Sequence, residues 1–162
     1  MLAVGTKAPE IDVPGPHGER FRLSEGLGRV ATVVYFFPKA FTPGCTRETE
    51  RFRDSYNELR LAGATVIGVS TDDADTQCRF AESLEAPFPM VGDPDGAVAE
   101  RFDVRWPIVG VARRVTYVLD HERTIRGVFH HELDIAQHRD DVLRLVDELY
   151  TARCAPRVPT DP

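Results

Sequence analysis

Residues 30–37 have the sequence Val30-Ala31-Thr32-Val33-Val34-Tyr35-Phe36-Phe37. Every residue in this run is apolar, β-branched or aromatic, and none is charged. A strand with one face in water alternates polar and apolar residues, whereas a continuous run is typical of a strand buried on both faces. Pro38 ends the run, because proline cannot donate to a strand ladder. The run therefore predicts the central strand of a sheet that is covered on both sides.

The segments around this strand alternate between helix and strand patterns. Turn residues at 14–18 suggest a small N-terminal β-hairpin within residues 9–23. The elements predicted after the first long strand are a helix ending at Gly63, a strand at 64–70, a helix around 77–84, a short strand at 88–91, a brief helix up to Phe102, a strand pair at 115–119 and 124–129, and a last helix at about 138–152. This order predicts an α/β fold with a mixed sheet and helices on both faces.

Length and charge bound the function. The 162 residues favour one domain, assigned to residues 1–152, with a flexible tail at 153–162 that contains Pro156 and Pro159. Lys and Arg number 20 against 26 Asp and Glu, which gives a net charge of −6. This acidity argues against nucleic acid or an anionic membrane surface as the partner. The longest charge-free stretch, residues 61–71, is too short to span a membrane.

The N-terminus lacks the basic and apolar regions of a secretory signal, so a cytoplasmic location is expected. Three cysteines in such a chain do not suggest a structural disulfide framework. They suggest either buried thiols or redox chemistry.

The loop after the central strand carries the candidate chemistry, because functional groups of open α/β sheets gather at the carboxyl ends of the parallel strands. It runs from Pro38 to Cys45, where the next helix begins. Unpaired N–H groups and the dipole at a helix N-terminus favour the thiolate. Thr42 can turn its hydroxyl back toward the sulfur, and Gly44 allows a tight turn beside it. The alternative is an inert core cysteine, since free cysteine is often buried.

The pattern Pro38-x-x-x-Thr42-x-x-Cys45 resembles the active-site motif of peroxiredoxins. The flanking segments at 35–39 and 45–48 resemble the Q-type branch, also called bacterioferritin comigratory protein, and the resemblance extends over about residues 3–150. It implies a thioredoxin-like fold and a thiol-dependent peroxidase that reduces hydrogen peroxide and organic hydroperoxides without a bound cofactor.

The resemblance also assigns roles to individual residues. Cys45 would be the peroxidatic nucleophile, Thr42 would hold the peroxide, and Pro38 would shield the sulfenic acid. The activating arginine of the family corresponds to Arg114, with a solvated surface charge as the alternative. Glu48 would steady the helix start by pairing with a nearby arginine, or would simply favour a first helical turn.

Arg113 is the adjacent candidate for the activating arginine. Neighbouring residues of a strand point to opposite faces, so only one of Arg113 and Arg114 can face Cys45.

The resolving thiol is the main departure from the family pattern. Many Q-type members carry it five positions after the first cysteine, where this chain has Glu50. Cys78 on the following helix is the first candidate, and a buried small side chain is its alternative. Cys154 is a weaker candidate that could reach Cys45 of a partner chain, so a homodimer stays open. The favoured interpretation of Cys154 is an incidental thiol of the tail. Thioredoxin would recycle a Cys45–Cys78 disulfide, and an external thiol would otherwise reduce Cys45.

Other constellations favour simpler interpretations. The group His130, His131, Glu132 and His138 lacks the spacing of a zinc motif, so no metal is expected there. Surface or capping roles are expected instead. Asp93 opens a turn that suggests a helix cap. Two rival functions remain at this point: a thiol–disulfide oxidoreductase, and a redox sensor or holdase without turnover.

Overall fold

The computed structural model describes residues 1–130 and 135–154. Seven strands and four α-helices form in this part of the chain: β1 (Asp12–Pro14), β2 (Arg20–Arg22), β3 (Ala31–Phe36), α1 (Pro43–Leu61), β4 (Ala64–Ser70), α2 (Ala74–Leu84), β5 (Met90–Gly92), α3 (Ala97–Arg101), β6 (Val115–Asp120), β7 (Ile125–Phe129) and α4 (Ile135–Cys154).

The main sheet has five strands in the order β5-β4-β3-β6-β7. β3 lies in its centre, parallel to β4 and antiparallel to β6. All six residues of β3 are buried, which confirms the central strand predicted from its continuous apolar run. The predicted hairpin is also present, as the antiparallel pair β1–β2.

The two faces of β3 enter two different cores, because successive side chains of a strand point to opposite sides. Val34 and Phe36 pack with residues of α3 and the segment around the hairpin. Val33 and Tyr35 pack with residues of α1, α2 and α4. Helices therefore cover both faces of the sheet, as the sequence predicts.

Several element limits differ from the sequence prediction, most clearly those of β5 and α4. Strand β5 pairs from Met90 onward rather than from residue 88, since Pro89 has no N–H to donate and contributes only its carbonyl to Gly68. Helix α4 begins three residues earlier and ends two residues later than predicted. The boundary drawn at residue 152 thus falls inside α4, and residues 155–162 lie outside the described part of the chain. Apolar periodicity does not mark the polar end turns of a helix.

Among the helices in the described residues, none combines the length and the apolar character needed to cross a bilayer.

Candidate active site

The loop after β3 brings Cys45 to the start of α1. Pro43 is the first helical residue, a position that suits proline because its missing N–H would have no helical partner. Thr42 precedes it in extended backbone, with φ −84° and ψ 151°. Cys45 is therefore the third residue of the helix, and it is only 1% exposed. Its sulfur lies in the first turn, where backbone N–H groups lack helical partners.

Arg114 approaches the Cys45 sulfur from the chain segment that leads into β6, the antiparallel neighbour of β3. The antiparallel register pairs Phe36, the last residue of β3, with Val115, the first of β6. The residue before β6 is therefore held beside the loop that follows β3. Arg114 Nη2 lies 3.4 Å from Cys45 Sγ and donates a hydrogen bond to it. The arginine assigned by resemblance thus contacts the cysteine.

Glu48 completes a buried charged group around Arg114. It lies one helical turn after Cys45 and forms an ion pair with Arg114 Nη1. The two side chains are 2% and 9% exposed, respectively. Burial alone would lower the pKa of Arg114, but Glu48 and Cys45 outweigh burial and raise that pKa above its ordinary value. The guanidinium is therefore a permanent cation against the sulfur.

Arg113 has a different environment. Its guanidinium lies over the ring of Trp106, 4.8 Å from the ring centroid. This cation–π contact places Arg113 away from the contacts that Arg114 makes. The structure therefore separates the two arginines, as expected, but both precede β6, so the separation arises in the segment before the strand and not from alternation within it.

Thr42 and Gly44 shape the loop differently. The Thr42 hydroxyl donates to the carbonyl of Lys39 at 2.8 Å. A hydroxyl that donates in this way keeps its lone pairs for an incoming donor. Gly44 leaves room for the arginine, since a Cβ there would lie 3.0 Å from Arg114 Nη2. Pro38 is half-buried at the start of the loop.

Cys78 lies on α2 and faces a cavity beside the N-terminal hairpin. Together with Val13 and Phe21 of the hairpin it lines a cavity of about 270 Å³. Phe80, two residues later, packs its ring against Phe41 of the loop that follows β3. Residues two apart on a helix do not share a face, so Cys78 points away from that loop. Both Cys45 and Cys78 are free thiols.

The surroundings of Cys78 disfavour its thiolate. Burial raises the pKa of the Cys78 thiol, and so does Glu82, whose Oε1 accepts a hydrogen bond from Sγ at 3.5 Å. The weaker candidate Cys154 is the last residue of α4, and its side chain lies outside the described part of the structure.

One contact of the loop was missed by sequence reasoning. The N–H of Ala40 donates to Asp72 Oδ2 at 2.7 Å. Asp72 comes two residues after β4, which is parallel to β3, so both chain segments leave the same edge of the sheet. That topology is the signal by which Asp72 could have been found.

His138 and Asp93 each have a defined structural role. His138 is buried and bonded to Thr116, so the expected surface role is wrong for it. Asp93 accepts from the N–H groups of Val98 and Ala99, which confirms the predicted helix cap. Among the described residues there is no cluster of three or more metal-ligating side chains, and His131 and Glu132 lie outside them.

Known proteins resemble the chain over most of its length. The family described as AhpC/TSA matches residues 4–128. A chloroplastic peroxiredoxin Q of Oryza sativa subsp. japonica is 34% identical over 149 residues, which cover 91% of this chain and 68% of the rice protein.

Two solved structures are similar in fold and sequence. Peroxidoxin BcpB of Mycobacterium tuberculosis superposes with a TM-score of 0.84 at 32% identity, covering 91% of this chain and 98% of that one. The bacterioferritin comigratory protein of Xanthomonas campestris, studied for alkyl peroxide reduction, gives a TM-score of 0.76 at 28% identity and covers 86% and 92%.

Proposed function

The chain belongs to the AhpC/TSA family and is a thiol-dependent peroxidase with a thioredoxin-like fold, and we propose that Cys45 is the sulfur that reacts with the peroxide. One observation carries this assignment: Cys45 sits in the first turn of α1 with the buried guanidinium of Arg114 3.4 Å from its sulfur. A cation and free N–H groups around a thiol stabilise the thiolate, which is the nucleophilic form.

The first step transfers one oxygen atom to Cys45. The thiolate attacks the terminal oxygen of the hydroperoxide, so an S–O bond forms while the O–O bond breaks. The leaving hydroxide or alkoxide takes up a proton and departs as water or an alcohol. Cys45 is oxidised to a sulfenic acid, and the peroxide is reduced.

Arg114 and Thr42 act on the developing charge and on the orientation of the peroxide. Arg114 has several donors and holds the sulfur as negative charge moves toward the leaving oxygen. Thr42 offers its oxygen lone pairs to the O–H of the peroxide, because its own hydroxyl proton is donated to the backbone carbonyl of Lys39. Pro38 covers the start of the loop and shields the sulfenic acid from water.

The second step needs another thiol. We propose that Cys78 condenses with the sulfenic acid, which releases water and forms a disulfide. Because Cys78 faces the hairpin cavity and Cys45 is buried in the first turn of α1, both helices would have to unwind locally. A disulfide needs Cα atoms within about 7 Å of each other. A dithiol reductant such as thioredoxin would then reduce the disulfide. If Cys78 does not reach Cys45, one external thiol forms a mixed disulfide with Cys45 and a second releases it.

The proposed substrates are hydrogen peroxide and organic hydroperoxides. The Xanthomonas campestris relative is described in terms of alkyl peroxide reduction. Phe41, next to Thr42, is 54% exposed and offers an apolar surface beside the reactive loop. We place the enzyme in the cytoplasm, because its catalytic cycle needs reduced thiols and a reducing compartment maintains them.

Turnover tests the proposal. The reduced protein is supplied with hydrogen peroxide or cumene hydroperoxide, together with thioredoxin, its reductase and NADPH, and NADPH oxidation is followed. We expect turnover that Cys45→Ser abolishes and Cys154→Ser leaves unchanged. Oxidation of Cys45 without turnover would favour a redox sensor or holdase. Activity on protein disulfides, with little preference for peroxide over other oxidants, would favour an oxidoreductase.

Sedimentation of the reduced and oxidised protein addresses assembly. A monomer in both states would exclude a cross-chain role for Cys154, whereas a covalent dimer lost in Cys154→Ser would support one.

A further inference from the structure

The loop between β3 and α1 is held to the neighbouring strand end by two adjacent residues. Asp72 Oδ2 accepts the N–H of Ala40 at 2.7 Å. Thr71 Oγ1 donates to the carbonyl of Pro38 at 3.3 Å. The two bonds hold the loop at the residues before and after Lys39, which lie seven and five positions before Cys45.

The Asp72 carboxylate is itself fixed in place. Ser70 Oγ donates to the same oxygen, Oδ2, at 2.7 Å. The N–H of Asp72 donates back to the Ser70 hydroxyl at 3.3 Å. A carboxylate that accepts from a backbone N–H makes a stronger hydrogen bond than a neutral acceptor does. Asp72 therefore presents a rigid, charged acceptor to the loop.

The loop needs such an anchor because part of it is strained. Phe41 has a φ of +64°, a left-handed conformation that is unusual for a bulky residue. Strained backbone persists only where the surroundings fix it. The residue before it, Ala40, is 4% exposed, so its N–H depends on Asp72 in place of bulk water.

From these contacts we propose that Asp72 is a positioning residue for the reaction of Cys45, acting through the N–H of Ala40. The bond holds Ala40 and Phe41 in the strained conformation from which Thr42 enters α1. Relaxation of that conformation shifts Thr42 and the first turn of α1 relative to Arg114. This inference rests on the proposed function, since it concerns the geometry with which Cys45 meets a peroxide.

The neighbouring Asp73 provides a matched control. Its side chain accepts the N–H of Thr76 at 2.7 Å and caps the start of α2. Asp73→Ala thus removes an adjacent carboxylate and weakens α2, while the described contact between Asp72 and Ala40 is kept. It separates an effect through the loop from an effect through helix stability.

The experiment compares the wild type, Asp72→Ala, Asp72→Asn and Asp73→Ala in the reduced state. Rapid quench gives the second-order rate constant for Cys45 oxidation by hydrogen peroxide. Alkylation by iodoacetamide gives the general reactivity of the same thiol, which does not depend on how a peroxide is oriented. NMR hydrogen exchange reports protection of the Ala40 amide.

We expect Asp72→Ala to lower the peroxide rate by about tenfold or more, because small displacements of a reacting group can cost up to about a hundredfold. Alkylation should persist, and Ala40 should lose protection. Asp72→Asn keeps an oxygen acceptor and should fall between wild type and Asp72→Ala, and it carries the test if Asp72→Ala does not fold. Asp73→Ala should react with peroxide as the wild type does.

Three results would overturn the inference. The first is a fast oxidation of Cys45 in the wild type with the same rate in Asp72→Ala, and the second is a rate in Asp73→Ala that falls as much as in Asp72→Ala. The third is hydrogen exchange of the Ala40 amide that Asp72→Ala leaves unchanged. A wild type without fast peroxide reaction would instead reject the proposed function. Exchange at Ala40 would still decide in that case whether Asp72 holds the loop.

Discussion

The guanidinium of Arg114 lies 3.4 Å from the sulfur of Cys45, although the two residues are 69 positions apart in the chain. The contact follows from the sheet, because β3 and β6 are antiparallel neighbours whose register places Phe36 beside Val115. The central strand thus determines both the position of the thiol and the position of its cation.

Removal of the cation should slow the chemistry. We expect Arg114→Ala to lower the second-order rate of Cys45 oxidation by about a hundredfold, the usual effect of removing one donor that stabilises developing charge. Arg113→Ala is the matched control, since Arg113 lies over Trp106 instead. Single-turnover oxidation by hydrogen peroxide measures both variants. Equal rates in Arg114→Ala and wild type would show that Arg114 is not the activating residue.

Removal of the Glu48 carboxylate should lower the free energy of unfolding. Glu48→Ala leaves Arg114 buried without its ion-pair partner, and breaking a buried pair in this way costs about 3–5 kcal/mol. Glu48→Gln keeps a hydrogen-bond acceptor and should cost less. Urea denaturation of the reduced protein gives the free energy of unfolding. A loss below about 1 kcal/mol in Glu48→Ala would place the pair among the weak surface bridges.

A methyl group at residue 44 should separate the arginine from the sulfur. In Gly44→Ala the new Cβ would lie 3.0 Å from Arg114 Nη2, closer than side chains normally approach. We expect slower oxidation of Cys45, by about tenfold, because the guanidinium must shift. Gly26→Ala is the control, since its nearest contact would be 3.8 Å. If both variants react like the wild type, the close approach at Gly44 has no part in catalysis.

The reactivity of Cys78 should depend on pH in a defined direction. Burial and Glu82 raise the pKa of this thiol, so the folded protein binds its proton more tightly than a free cysteine does. Alkylation of Cys78 should therefore increase at higher pH than alkylation of a free thiol. Glu82→Gln should shift the profile toward lower pH. A profile that matches free cysteine in the wild type would contradict the prediction.

The resolving step gives a further test of α2. Cys78→Ser should leave the first oxidation of Cys45 intact and block formation of the intramolecular disulfide. Non-reducing peptide mapping after one equivalent of peroxide shows which pair has formed. A disulfide that persists in Cys78→Ser would show that another thiol resolves.

Most of the fold was predictable because its signals are local. The uninterrupted apolar run at 30–37 identified the central strand, and the turn residues at 14–18 identified the hairpin. The limits of α4 were less accessible, since its end turns lack the apolar spacing that marks a helix.

The site was predictable where a motif spans neighbouring residues and less so where the fold joins distant ones. Cys45 and Thr42 stand in one short pattern, and the resemblance supplied Arg114. The bond from Ala40 to Asp72 joins segments 32 positions apart and has no local signal. The burial of His138 against Thr116 likewise depends on packing of α4 on the sheet, which its sequence neighbours do not show.

The order in which the cysteines oxidise is the measurement to make first. One equivalent of hydrogen peroxide is added to the fully reduced protein, the reaction is quenched rapidly, and Cys45, Cys78 and Cys154 are mapped by mass spectrometry. We predict that Cys45 is lost first and much faster than a free thiol, and then reappears in a disulfide or as a trapped sulfenic acid. Oxidation of Cys45 at the rate of a free thiol, or prior oxidation of another cysteine, would contradict its assignment as the peroxidatic residue.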